Sequence, residues 1–67
     1  MKRKRVAQYR GFLGYTQSEM AKVLGISLST YANKERGIYP FSEREMALFK
    51  KETSKYFPNI TIDDIFM

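Results

Sequence analysis

Apolar positions along the chain recur at three- and four-residue spacing, and no stretch alternates for long enough to make a strand. Val6, Tyr9 and Leu13 share one helical face. Met20, Ala21 and Leu24 share a second, and Met46, Phe49 and Phe57 a third. Ile26, Tyr31, Ile60, Ile62, Ile65 and Phe66 are placed to fill the spaces between these faces. Polar residues punctuate the pattern in one repeated grammar. Thr16 is followed three residues later by Glu19, Ser42 by Glu45, and Thr61 by Asp64. In each pair the hydroxyl accepts from the third backbone N–H of a helix, and the acid returns to the cap's own N–H. Tyr15 and Met20, Phe41 and Met46, and Ile60 and Ile65 flank these boxes as hydrophobic staples. At Ser27 the box is incomplete, because Thr30 stands where the acid belongs, yet Ile26 and Tyr31 still form a staple.

The predicted elements follow. Helix 1 covers about Lys2 to Phe12 and stops near Gly14. Helix 2 runs from Gln17 to Leu24 and ends at Gly25. Helix 3 runs from Leu28 to Arg36 and ends at Gly37. Helix 4 runs from Glu43 to about Tyr56, ahead of Pro58, and helix 5 from Ile62 to Phe66. The fold class is all-α, in one domain spanning 1–67. Gly11 sits inside helix 1, where it costs about 1 kcal/mol relative to Ala.

Composition narrows the chemistry. The 67 residues carry 12 Lys and Arg against 7 Asp and Glu, for a net charge of +5. A short basic chain favours polyanionic partners. An anionic membrane fits poorly, since no apolar run approaches the ~20 residues of a spanning helix. Nor does Lys2-Arg3-Lys4-Arg5 lead into the apolar core of a signal peptide, so the cytoplasm is the expected compartment. The chain has no Cys and no His, which removes disulfides, thiolate metal sites and the commonest general base. No Gly-rich phosphate cradle is present either, and the carboxylates fall mainly at helix starts, where capping explains them. No enzyme activity, metal, cofactor or small-molecule ligand is expected.

Thr16 to Gly37 is the informative stretch: two short helices joined at Gly25, the second with small and polar residues on its outward side. Thr16-Gln17, Met20-Ala21, Gly25-Ile26-Ser27 and Glu35-Arg36-Gly37 together resemble the Cro/CI-type helix-turn-helix family, also called the XRE family. The resemblance extends over nearly the whole chain, since Arg10 and the Ile62-to-Phe66 ending also suit it. It implies a five-helix, lambda-repressor-like domain in which helix 3 enters the major groove of DNA. The residues have their own physical logic beside it. Ala21 lets helices 2 and 3 cross closely, and Gly25 accommodates the left-handed backbone of a tight turn.

The resemblance also distributes roles. Leu28, Ser29, Ala32 and Asn33 face outward from helix 3 and would meet base edges. Leu28 could pack on a thymine methyl, and Asn33 could pair with adenine. Gln17, Lys34, Arg36, Gly37, Tyr39 and Arg44 would contact phosphates. Gln17 can also brace a residue of helix 3. Arg10 and Glu35 would form a partly buried ion pair tying helix 1 to helix 3, although Arg10 on a phosphate is the competing role. The basic Lys2-to-Arg5 cluster would add phosphate contacts, reach a minor groove, or remain a solvated end. Lys34 departs from the family, which often has a bulky apolar residue there. Its stem could cover the core edge while the amine reaches solvent or a phosphate.

Two functions compete. One is a small transcriptional regulator, most simply a repressor of phage or mobile-element type. It would bind an inverted repeat of double-stranded DNA as a homodimer, with half-sites about 34 Å apart or a multiple of that. The other is an antitoxin-like module that neutralises a protein partner, offering the apolar Ile60-to-Met67 tail, and binds its own operator.

Overall fold

The computed structural model describes the backbone of residues 2–67 and the side chains of residues 5–67, so the Lys2, Arg3 and Lys4 side chains of the basic cluster lie outside what is described. Five helices follow one another: α1 Lys2–Leu13, α2 Gln17–Leu24, α3 Leu28–Glu35, α4 Glu43–Ser54 and α5 Ile62–Phe66. Among the described residues there is no strand. α1 packs on α5 and touches α3 and α4, while α2 packs on α3 and α4.

Local chemistry explains the starts. Thr16, Ser42 and Thr61 each close a full capping box with Glu19, Glu45 and Asp64. Ser27 accepts from the Thr30 N–H at 3.1 Å and donates its hydroxyl to Thr30 Oγ1 at 2.9 Å, so the threonine keeps half the box. The ends have their own logic. Gly25 adopts φ +73°, and its N–H bonds back to Ala21 and Lys22, which turns the chain from α2 toward α3. α3 stops one residue earlier than the pattern predicts. Arg36 caps it, and Gly37 and Ile38 donate to the Lys34 and Asn33 carbonyls at 3.0 and 2.9 Å, a Schellman motif. α4 ends at Ser54, not Tyr56. Thr53 and Ser54 turn their hydroxyls onto the Phe49 and Lys50 carbonyls, and Pro58 disfavours helix in the residue before it.

Val6, Leu13, Met20, Ala21, Leu24, Tyr31, Phe49 and Ile65 form the buried core, with Tyr9, Ile26, Ile60 and Phe66 packed against it. Three expected core residues lie elsewhere. Phe57 is 38% exposed, and Met46 and Ile62 are only partly covered. The reason is the roll of α4. Its inward stripe is Glu45, Phe49 and Thr53, at i, i+4 and i+8, so polar residues take two places that an apolar search assigns elsewhere. Leu48 and Phe41 pack against the core instead. Phe57 joins Tyr9 and Phe12 in a separate aromatic cluster, with Tyr9 edge-on to both phenylalanines. At Gly11 an added Cβ would meet nothing within 4 Å, so no contact explains that glycine.

Candidate nucleic-acid interface

The two halves of α3 have different surroundings. In its first turn Leu28 is 50% exposed and Ser29 is exposed, while Ala32 and Asn33, one turn on, are half-buried. Tyr31 points the other way and is fully buried against Phe41, with ring centres 6.0 Å apart. Ser29 and Asn33 sit on the side of α3 away from Tyr31, Ala32 flanks that side, and Leu28, three residues before Tyr31, is exposed at the first position of the helix. Asn33 Oδ1 accepts from Arg36 Nη2 at 2.8 Å, so the last outward residue of the helix and the loop arginine are joined.

Behind this face, one carboxylate gathers three helices. Glu35, itself buried, accepts from Arg10 Nε at 2.8 Å and Arg10 Nη2 at 3.2 Å. It also accepts from Gln17 Nε2 at 2.8 Å and the Tyr31 hydroxyl at 2.7 Å. Arg10 spends a further N–H on the Tyr15 carbonyl at 2.9 Å. Burial alone would raise the Glu35 carboxyl, but the hydrogen bonds from Arg10, Gln17 and Tyr31 outweigh it and hold the group below its usual range. The same network raises the Arg10 guanidinium through its bond to Glu35. It pushes the Tyr31 phenol up, chiefly by burial and then by its bond to Glu35. Arg10 therefore serves the interior here, and Gln17 braces α3 while one amide N–H and its carbonyl remain for an outside partner.

Lys34 does not follow its expected course. Its Nζ donates to both oxygens of Glu45, at 2.6 and 2.8 Å, instead of reaching solvent or a phosphate. Burial would raise the Glu45 carboxyl, and the Lys34 ammonium and the Ser42 N–H bring it below its usual range. Arg44 lies over the α2–α3 turn. Its Nη1 donates to the Leu24 carbonyl at 3.3 Å, and its Nη2 is 3.4 Å from where a Gly25 Cβ would stand. Arg36 and Tyr39 are exposed in the loop after α3, with Gly37 between them at φ +86°. That loop also exposes Ile38, which lies outside the sequence-predicted contact residues. The signal was available, since a Schellman motif normally packs its Ile38 position on the residue at Asn33, and a polar side chain there leaves the isoleucine without an apolar partner.

Two short helices crossing at a glycine turn, the second with an exposed start and a pinned end, make a helix-turn-helix. A helix-turn-helix family model matches residues 6–48, more than half of the chain. The chain belongs to the Cro/CI-type (XRE) helix-turn-helix family. Neither a curated protein nor a solved structure gives a match. As a member of this family it is a double-stranded-DNA-binding transcription regulator, and the family is regulatory, not enzymatic. Among the described residues no helix is long and apolar enough to cross a membrane.

Proposed function

We propose that this helix-turn-helix protein is a repressor of the phage or mobile-element type. It occludes a promoter in the cytoplasm by binding an inverted repeat as a homodimer. The single observation that carries this reading is the exposed start of α3, where Leu28 stands half in solvent on a helix whose far end is fixed to three others. A groove-reading helix needs that combination of a free reading face and an immobile base.

In this reading Leu28, Ser29, Ala32 and Asn33 meet base edges. Gln17, Arg36, the Gly37 backbone, Tyr39 and Arg44 meet phosphates, which set register and supply most of the salt-dependent affinity. Lys34 leaves the phosphate set, because its ammonium is already held by Glu45. One module reads few base pairs, so two copies about 34 Å apart on the DNA axis, or a multiple of that, supply the specificity.

Selection of bound sequences from a random duplex pool tests the reading, with a palindromic product expected. Arg36→Ala should weaken binding to all sequences alike and lower the salt slope by about 1. Leu28→Ala with Asn33→Ala should instead relax the sequence preference. Preference that survives the double substitution would remove these residues as readers.

An antitoxin-like role is the second reading. The Ile60-to-Met67 tail gives it little support, because Ile60, Ile65 and Phe66 close the core. What favours it is the pair of exposed, touching rings of Phe12 and Phe57. A partner bound there would resist Leu28→Ala and be lost with Phe12→Ala.

A further inference from the structure

Two adjacent residues of α3, Lys34 and Glu35, carry opposite charges and are tied in different directions. Glu35 reaches Arg10 of α1 and Gln17 of α2. Lys34 reaches Glu45 of α4. Adjacent helical residues point about 100° apart, so the two ties hold the helix from different sides. The Lys34–Glu45 pair is well covered, with the side chains 15% and 7% exposed. Glu45 has a second duty. The same Oε1 that receives Lys34 accepts the Ser42 N–H at 2.9 Å, and the Glu45 N–H returns to Ser42 Oγ at 3.1 Å. One carboxylate thus closes the α4 capping box and clasps the end of α3, bracketing the loop that carries Arg36, Gly37 and Tyr39.

The polarity matters as much as the bonds. Rolling α3 by one residue in one direction would bring Lys34 toward Arg10, and the opposite roll would bring Glu35 toward Glu45; either sets like charges together in a poorly solvated place. Ion pairs of opposite sense therefore penalise the wrong roll while stabilising the right one.

We propose that Lys34 and Glu45 are positioning residues for DNA recognition: with Arg10 and Glu35 they form a two-sided lock that sets the roll of α3 and holds the phosphate-facing loop against it. Lys34 acts from behind the helix and touches no phosphate. The proposal rests on α3 being the base-reading helix.

The test is a charge-removal cycle on the full chain, read by binding to the selected duplex across a salt series. Lys34→Met strands the Glu45 charge. It should weaken binding about tenfold, within the range for coupled neighbours, and leave the salt slope unchanged. Glu45→Gln keeps the capping acceptor and frees the ammonium, and it too should weaken binding. The double variant Lys34→Met/Glu45→Gln, with neither charge stranded, should return to within about threefold of the parent. If Lys34 docks on a phosphate, three results reverse. Lys34→Met lowers the slope by about 0.9, Glu45→Gln tightens binding, and the double variant stays as weak as Lys34→Met.

Should Lys34→Met lose its helical circular dichroism, reductive methylation of the parent decides the matter. Lys34 should react far more slowly than the exposed Lys22 and Lys51 without DNA, and gain no protection when DNA is added. Reaction at the rate of Lys22, with protection only on DNA, would overturn the proposal. A parent chain that shows no sequence preference would instead defeat the reading of α3, while the methylation of the free protein would still report the lock.

Discussion

The two ends of α3 are built on opposite terms. At its start, Ser27 caps the backbone, Leu28 is half-exposed, and Ser29 is exposed. At its end, Tyr31, Lys34 and Glu35 each place a polar atom on a named partner: Tyr31 on Glu35, Lys34 on Glu45, and Glu35 on Arg10 and Gln17. The difference separates two jobs within eight residues. The first turn can vary its side chains at little cost to the fold, whereas the last turn cannot vary without releasing groups already taken out of water.

Glu35→Ala is the most severe way to break that contrast. It strips the Arg10 guanidinium, the Gln17 amide and the buried Tyr31 hydroxyl of a shared acceptor. A cost of about 3–5 kcal/mol is expected, as for truncation of a buried pair. A core this small rarely supplies more than about 3–5 kcal/mol in total, so the variant should be largely unfolded by denaturant titration at room temperature. A loss below about 1 kcal/mol would show that the network is too well solvated to anchor the helix.

Acid should attack the same end. Glu35 and Glu45 are both held below the ordinary carboxyl value of 4.5 in the folded protein. A carboxyl depressed by folding contributes its full stability above that ordinary value, and loses it as pH falls through the lower folded value. Glu52, lowered by the Tyr15 hydroxyl, adds to the same window. Thermal stability should therefore be level from neutral pH down to about pH 5 and fall steeply below about 4.5. Glu35→Gln should flatten part of that fall and Leu28→Ala none of it. Parallel curves for the two variants would deny the last turn its special standing.

Ser27→Ala addresses the start of the helix. It removes the oxygen that accepts the Thr30 N–H, with an expected loss of about 1 kcal/mol. Chemical denaturation should show an effect clearly smaller than that of Glu35→Ala, because the freed N–H lies at the surface, where water can replace the cap.

Much of this arrangement is legible in the residue order, and the parts that are not have a common cause. Helix starts are readable because a capping box is local: Thr16 and Glu19, or Ser42 and Glu45, decide the matter within four residues. Gly25 announces the turn for a similar reason. Arg10 with Glu35 is visible only through the family likeness, since 25 residues separate the partners and spacing alone cannot join them. Lys34 with Glu45 was missed on both counts. The family favours an apolar residue at position 34, and Glu45 already had a sufficient local explanation as a capping acid. A residue with one evident duty hides a second. The inward stripe of α4 was misjudged in the same way, because Glu45 and Thr53 look like surface residues until their partners are known.

The smallest stability effect belongs to Leu28→Ala, and it tests the comparison most finely. The side chain is half-exposed on a capped first turn, so its truncation should change stability by less than about 0.5 kcal/mol. Alanine also has the higher helix propensity, which offsets part of the lost contact. Binding should respond instead. If Leu28 packs on a thymine methyl, the variant should lose preference for thymine over uracil at one position of each half-site, while affinity for unrelated duplexes and the salt slope stay as they were. The thymine-to-uracil exchange removes only the methyl group and leaves the hydrogen-bonding edge intact. A parent that tolerates the exchange everywhere, or a variant that still senses it, would mean that Leu28 is an ordinary surface leucine and that reading falls to Ser29, Ala32 and Asn33.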